Sequence, residues 1–136
     1  MKTAEIIDRA RRSATSAKLL FGAGDLNGAC NRAYYAMFDA ARAALLASKE
    51  PVESEMIRTH SGLIAAFSLH LIKPGHIPAQ YGKSLKRVDQ IRRVADYSDE
   101  EIEREVALSV IEQADHFVDA VSRYLRDAPP AQPKSS

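Results

Sequence analysis

The chain has 136 residues, of which 46% are hydrophobic and 27% charged, and a formal net charge of +1. That length suits one domain with a real core, and the balance is an ordinary soluble globular one that makes no global demand for nucleic acid. A single cysteine, Cys30, excludes an internal disulfide framework and fits a reducing compartment. No Cys/His cluster has zinc spacing, the first residues lack the apolar run of a signal peptide, and no stretch approaches the ~20 apolar residues of a membrane span. The expectation is a cytoplasmic chain with no metal or other cofactor.

In chain order, Thr3 to Phe21 repeats apolar residues at helical spacing (Ile6, Ile7, Ala10, Ala14, Ala17, Leu20, Phe21) until Gly22 and Gly24 stop it. Asp25 is placed to cap a second helix running to Ser48, with a core stripe of Cys30, Ala33, Tyr34, Met37, Phe38, Ala41 and Leu45. On the same helix Ala36, Ala40, Ala43 and Ala47 form a small-residue stripe for close helix packing, within the chain or between two copies. "KEPVESE" breaks the pattern at Pro51, and a third helix is expected over roughly 55–72, with Leu63, Ile64, Phe67 and Leu71 inward. Pro78 suits the first position of a fourth helix reaching Tyr97, which carries Tyr81, Leu85, Val88 and Ala95. "SDEE" reads as a capping box, Ser98 with Glu101, opening a last helix to about Arg126. Residues 1–127 thus form one domain, and "DAPPAQPKSS" carries a tail, residues 128–136, expected to be disordered. No segment alternates with period two. The fold class is all-α, an antiparallel up-and-down bundle of five helices.

Several polar residues need a reason. Asn31 and Tyr35 lie beside the core stripe of the second helix and are candidates for the floor of a polar pocket, whereas Asp39 and Arg42 are expected to face solvent. His60 shares a face with Leu63, Ile64, Phe67 and Leu71, the pattern of a core histidine hydrogen-bonded to a neighbour; acid–base work needs a reacting partner as well. Arg92 falls on the inward face of Leu85, Val88 and Ala95, with Asp96 one turn on, an easy ion pair. That pair either clamps the junction of the last two helices or lines a functional pocket with Tyr97 at its mouth. Lys83, Lys86, Arg87 and Arg93 make "KSLKRVDQIRR" locally basic, with Asp89 its one acid; this is a solvated face or a ledge for RNA. "GAGDLNG" lacks the lysine and hydroxyl of a phosphate loop, and no serine or cysteine sits in a nucleophile setting.

Three segments, "ACNRAYYAMFDAARAALL" (29–46), "RTHSGLIAAF" (58–67) and "RRVADY" (92–97), in this order resemble the HEPN-domain superfamily over about residues 3–126, nearest to its small prokaryotic branch. The resemblance implies the same all-α bundle. It also implies metal-independent endoribonucleases of toxin–antitoxin or defence systems, acting as homodimers and often paired with a minimal nucleotidyltransferase antitoxin. The usual signature is an arginine followed after four to six residues by a histidine. Arg92 matches, but four intervening residues lead to Tyr97 and six to Asp99, so the histidine is absent. By this resemblance Arg92 is the phosphate and transition-state group, with His60 or Tyr97 assisting. The competing implication is a non-catalytic module that binds RNA, a nucleotide or the nucleotidyltransferase partner; a third reading is a structural subunit.

Overall fold

The computed structural model describes residues 2–48 and 56–127; the Pro51 break and the expected tail lie outside them. Five α-helices, α1 (Lys2–Gly22), α2 (Leu26–Ser48), α3 (His60–Phe67), α4 (Ala79–Tyr97) and α5 (Arg104–Asp127), form an antiparallel bundle, with no strand among the described residues. The stripe expected on α1 is the buried one, Ile6, Ile7, Ala10, Ala14 and Ala17. After Gly22 the chain reverses at Gly24, whose φ of +87° is a conformation glycine adopts without steric cost. Asp25 Oδ1 then accepts the Gly28 N–H at 2.9 Å, satisfying one orphan donor at the start of α2.

The centre of the bundle is α2, which packs on α1, α3, α4 and α5. Helices that must be met on several sides need small residues, and Ala29, Ala33, Ala36, Ala40, Ala41, Ala43 and Ala44 are all fully buried. The small-residue stripe therefore works inside the chain at Ala36, Ala40 and Ala43, while Ala47 is exposed. Larger core side chains come from α2 itself, Tyr34 and Met37, and from its neighbours. Phe117 of α5 lies 5.3 Å from the Phe67 ring and 6.3 Å from the Tyr81 ring. Both phenylalanines are fully buried, so truncating either to alanine would cost about 3–5 kcal/mol.

Four local readings need correction. The third helix starts later than expected: a single 3₁₀ turn (Met56–Arg58) precedes Thr59, whose Oγ1 accepts the Gly62 N–H at 3.0 Å and caps α3 at His60. Its far end, Ser68–Ile72, widens to a π-helical turn closed by Lys73 N–H to Ser68 O at 2.9 Å. Pro78 occupies the N-cap position of α4, one residue before the helix. Finally, Ser98 and Glu101 do not form a capping box. Ser98 Oγ accepts from Glu100 N–H at 2.9 Å, and Asn27 Oδ1 captures the Ile102 N–H at 2.8 Å. With those donors engaged, the chain stays irregular until α5 opens at Arg104, whose guanidinium sits 4.4 Å over the Phe21 ring.

The expectation that Asp39 and Arg42 face solvent is also wrong. Asp39 is buried and takes two hydrogen bonds from Arg9 of α1, at 3.0 and 3.2 Å. Arg42 is half-buried, with a buried Nε. A helix covered by four neighbours has no broad solvent face, so distance from its own apolar stripe does not mean exposure.

Candidate functional site

Three helices converge on one polar cluster. Tyr34 comes from α2, His60 from the first position of α3, and Asp89 and Arg92 from the last turns of α4. The Thr59 cap fixes His60 at the helix start, and its imidazole meets the Tyr34 hydroxyl at 2.7 Å (Nδ1). Arg92 Nη2 reaches the same nitrogen at 3.3 Å. The ring is further enclosed by Phe38, 5.1 Å away, and by Tyr35, 6.1 Å away at 77°.

Arg92 is the hub. Its side chain is only 13% exposed, and it donates to Asp89 Oδ1 at 3.1 Å and to Asp96 Oδ2 at 2.9 Å. The guanidinium carbon also lies 4.6 Å from the centre of the Tyr34 ring, a cation–π contact. Asp89, 6% exposed at its side chain, is the buried anion of the site and is held from its other oxygen by Arg93 at 3.1 Å. Two carboxylates and a ring compensate the charge that burial would otherwise make costly. The compensation is incomplete in one respect: Arg92 Nε is buried with no hydrogen-bond partner among the described residues.

These contacts assign the protons. A guanidinium donates only, so Nδ1 of His60 is an acceptor and the neutral ring carries its proton on Nε2. Burial raises the pKa of Tyr34, which keeps its hydroxyl as a donor to the same Nδ1. Burial, and then the adjacent Arg92 charge, lower the pKa of His60 below its usual value. The cluster therefore pairs a guanidinium, held by Asp89 and by the exposed Asp96, with a neutral imidazole; an anion such as a phosphate could be held there in the place of Asp96.

The other candidates separate. Asp96 belongs to the cluster at its solvent edge. Tyr35 flanks His60, but Asn31 is exposed and outside. Tyr97 is 90% exposed, projecting into solvent beyond the cluster. Lys83, Lys86, Arg87 and Arg93 are all exposed on α4, with Arg93 committed to Asp89. Cys30 is buried, and desolvation pushes its thiol up to about 11, which removes it as a nucleophile at neutral pH. Among the described residues no group of three His, Cys, Asp or Glu side chains could hold a metal ion. No helix of the described residues is long and apolar enough to cross a membrane. Sequence reasoning passed over Tyr34 and Asp89. Tyr34 sat unmarked in an apolar stripe, and the one available signal for Asp89 was its place three residues before Arg92 on the inward side of α4.

An all-α bundle that gathers an arginine, a histidine and a tyrosine at one junction is the class of protein defined so far. Residues 3–124 match the HEPN domain, and the chain belongs to that family. It is 32% identical over 122 residues to "Putative toxin MJ0605" of Methanocaldococcus jannaschii, covering 90% of this chain and 87% of that relative. It is 35% identical over 120 residues to a UPF0332 protein of Thermotoga maritima, covering 88% and 87%. A UPF0332 protein of Gloeobacter violaceus is 30% identical over 123 residues, covering 89% and 94%.

Proposed function

We propose that this protein is a toxin of the toxin–antitoxin or defence class that acts on RNA through the Arg92–His60 cluster, as a homodimer restrained by a minimal nucleotidyltransferase partner. The observation that carries the reading is the meeting of Arg92 Nη2 and His60 Nδ1 at 3.3 Å, from helices 32 positions apart in the chain. It supplies the imidazole that the sequence lacks four to six residues beyond the arginine. The toxin name of a relative covering 90% of the chain supports the biological class.

In this reading a backbone phosphate enters at the open edge and displaces the exposed Asp96 from Arg92 Nη1. Arg92 then holds the phosphate and the charge that develops as a 2′-hydroxyl attacks it. As Arg92 turns toward the phosphate and the Tyr34 hydroxyl swings its hydrogen off Nδ1, that nitrogen becomes free to take the proton of the attacking hydroxyl; the P–O5′ bond breaks as the new P–O2′ bond forms, and the departing 5′-oxygen takes a proton from water. The Tyr34 ring, stacked 5.2 Å from the imidazole, keeps it oriented throughout. No metal takes part.

A second reading has its own observation. In the structure the lone pair of Nδ1 already faces two donors, Tyr34 and Arg92, which leaves no free base. A non-catalytic module that binds RNA or a nucleotide needs only the cation and the Nε2–H donor.

Induced expression in a bacterial host, followed by growth and total RNA, separates the two. The variants are His60→Ala and Arg92→Lys, which retains a cation but loses the fork. Growth arrest with RNA cleavage in the wild type, lost in both variants while soluble protein accumulates, is the expected result. Intact RNA together with RNA binding that both variants weaken would establish the second reading. Cleavage or binding unchanged in both variants would overturn both.

A further inference from the structure

The opposite flank of α4 carries a second feature, independent of the cluster. Asp89, Arg92 and Asp96 form one stripe of this helix; Arg87, Ile91, Val94, Ala95 and Ser98 form another that turns away toward α5. Between that second stripe, the irregular 98–103 connector and the first turn of α5 lies an open groove of about 460 Å³, within the range of sites that hold a ligand's side chains. Its floor is apolar: Ile91, Val94, Ala95, Ile102 and Val106. Val94 is 61% exposed, an apolar surface that the described residues leave mostly uncovered. The lip is acidic, with Glu100, Glu101 and Glu103 lining the groove against the single cation Arg87. The groove exists because Asn27 pins Ile102 and delays α5 to Arg104, so the connector spreads away from α4 instead of coiling against it.

We infer that this groove docks an amphipathic segment of a partner protein, one that sets apolar side chains on Val94 and Ile102 and places a lysine or arginine against Glu100, Glu101 and Glu103. Charge selects this occupant over the others. A nucleic-acid backbone would meet three carboxylates. A second copy related by a two-fold axis through the groove would bring the two acidic lips face to face. A cationic amphipathic helix or strand satisfies both the floor and the lip.

The test is selection of random dodecapeptides displayed on phage against the full chain, with counter-selection on Val94→Asp, followed by fluorescence anisotropy of the enriched peptides. Val94 is exposed, so its replacement should leave the melting curve unchanged. The expected outcome is enrichment of peptides combining Leu, Ile or Phe with Lys or Arg. Their binding should fall at least about tenfold in Val94→Asp, the loss of a central anchor, and weaken with added salt. The paired variant Glu100→Lys/Glu101→Lys should reverse the charge preference of the selected peptides. No Val94-dependent enrichment, or enrichment of acidic sequences on the wild type, overturns the inference. A wild-type dimer in light scattering that becomes monomeric in Val94→Asp assigns the groove to a second copy and overturns it. RNA that competes with the peptides, and whose own binding Val94→Asp removes, also overturns it.

Discussion

Arg9 and Arg92 each hold a carboxylate that the fold has buried, and they do so from opposite situations. Arg9 reaches in from solvent: its side chain is 51% exposed while Asp39, across the α1–α2 contact, is buried. Both of its bonds go to one acceptor group, which no other described residue is shown to share. Arg92 is itself inside, and its donors divide among Asp89, Asp96 and His60 with the Tyr34 ring beneath. The first is a clasp between two helices. The second joins three helices; its Nε has no partner among the described residues, a condition it shares with Arg42 of α2. What sets Arg92 apart from Arg9 is the spread of its donors over two carboxylates and an imidazole.

Between the two arginines, the larger expected effect comes from Arg92→Ala. It leaves Asp89 with the exposed Arg93 as its cation and removes one of the two donors at His60 Nδ1, so a loss of about 3 kcal/mol is expected, the low end for breaking a buried pair. For a chain of this size that lowers the melting temperature by roughly 10 °C. Alanine at this position therefore cannot separate a fold defect from a lost activity, whereas Arg92→Lys can. A melting temperature for Arg92→Ala equal to wild type would show that the hub carries no structural weight, and the comparison would collapse.

Arg9→Ala should cost less, about 1 kcal/mol, because the ion pair is half solvated and the loss comes mainly from leaving Asp39 buried without its donors. Removing both groups, as Arg9→Ala/Asp39→Ala, should return most of that loss, since the buried acceptor goes with its partner. Denaturant unfolding measures both. The double variant falling well below either single one would mean that the α1–α2 clasp is more than a satisfied burial.

The readable and hidden parts of the molecule follow from the same comparison. Alanine-rich apolar periodicity, the Gly22/Gly24 stop and the Asp25 cap act within a few residues, so the bundle was legible from local pattern. Arg92 facing inward with Asp96 one turn on was legible for the same reason. Asp39 was misjudged because its partner Arg9 is 30 positions away on another helix. Tyr34 was missed because a tyrosine ring counts as apolar in a stripe, and its hydroxyl has a role only once His60 arrives, 26 positions on. Pairings across helices leave no local mark.

The finest test concerns pH, where only the Arg92 cluster contains a titrating ring. His60 is held below its ordinary value of 6.5, first by burial and then by Arg92. Above that value the ring is neutral in both the folded and the unfolded chain, and His60 contributes no pH slope. As pH falls through it, the unfolded chain takes up a proton that the folded ring refuses until its own, lower value is reached. Stability should therefore decline below about pH 6.5 and the decline should stop growing below the folded value. The part of this slope due to His60 should vanish in His60→Phe, read from melting temperatures between about pH 7.5 and 5.5. Arg92→Lys keeps a charge nearby and should preserve most of it, while Arg9→Ala should leave it untouched. Equal slopes in wild type and His60→Phe would mean that the ring accepts its proton inside the fold without penalty. Arg92 would then yield readily to a second cation at that position, and the neutral-imidazole arrangement assigned from the contacts would be wrong.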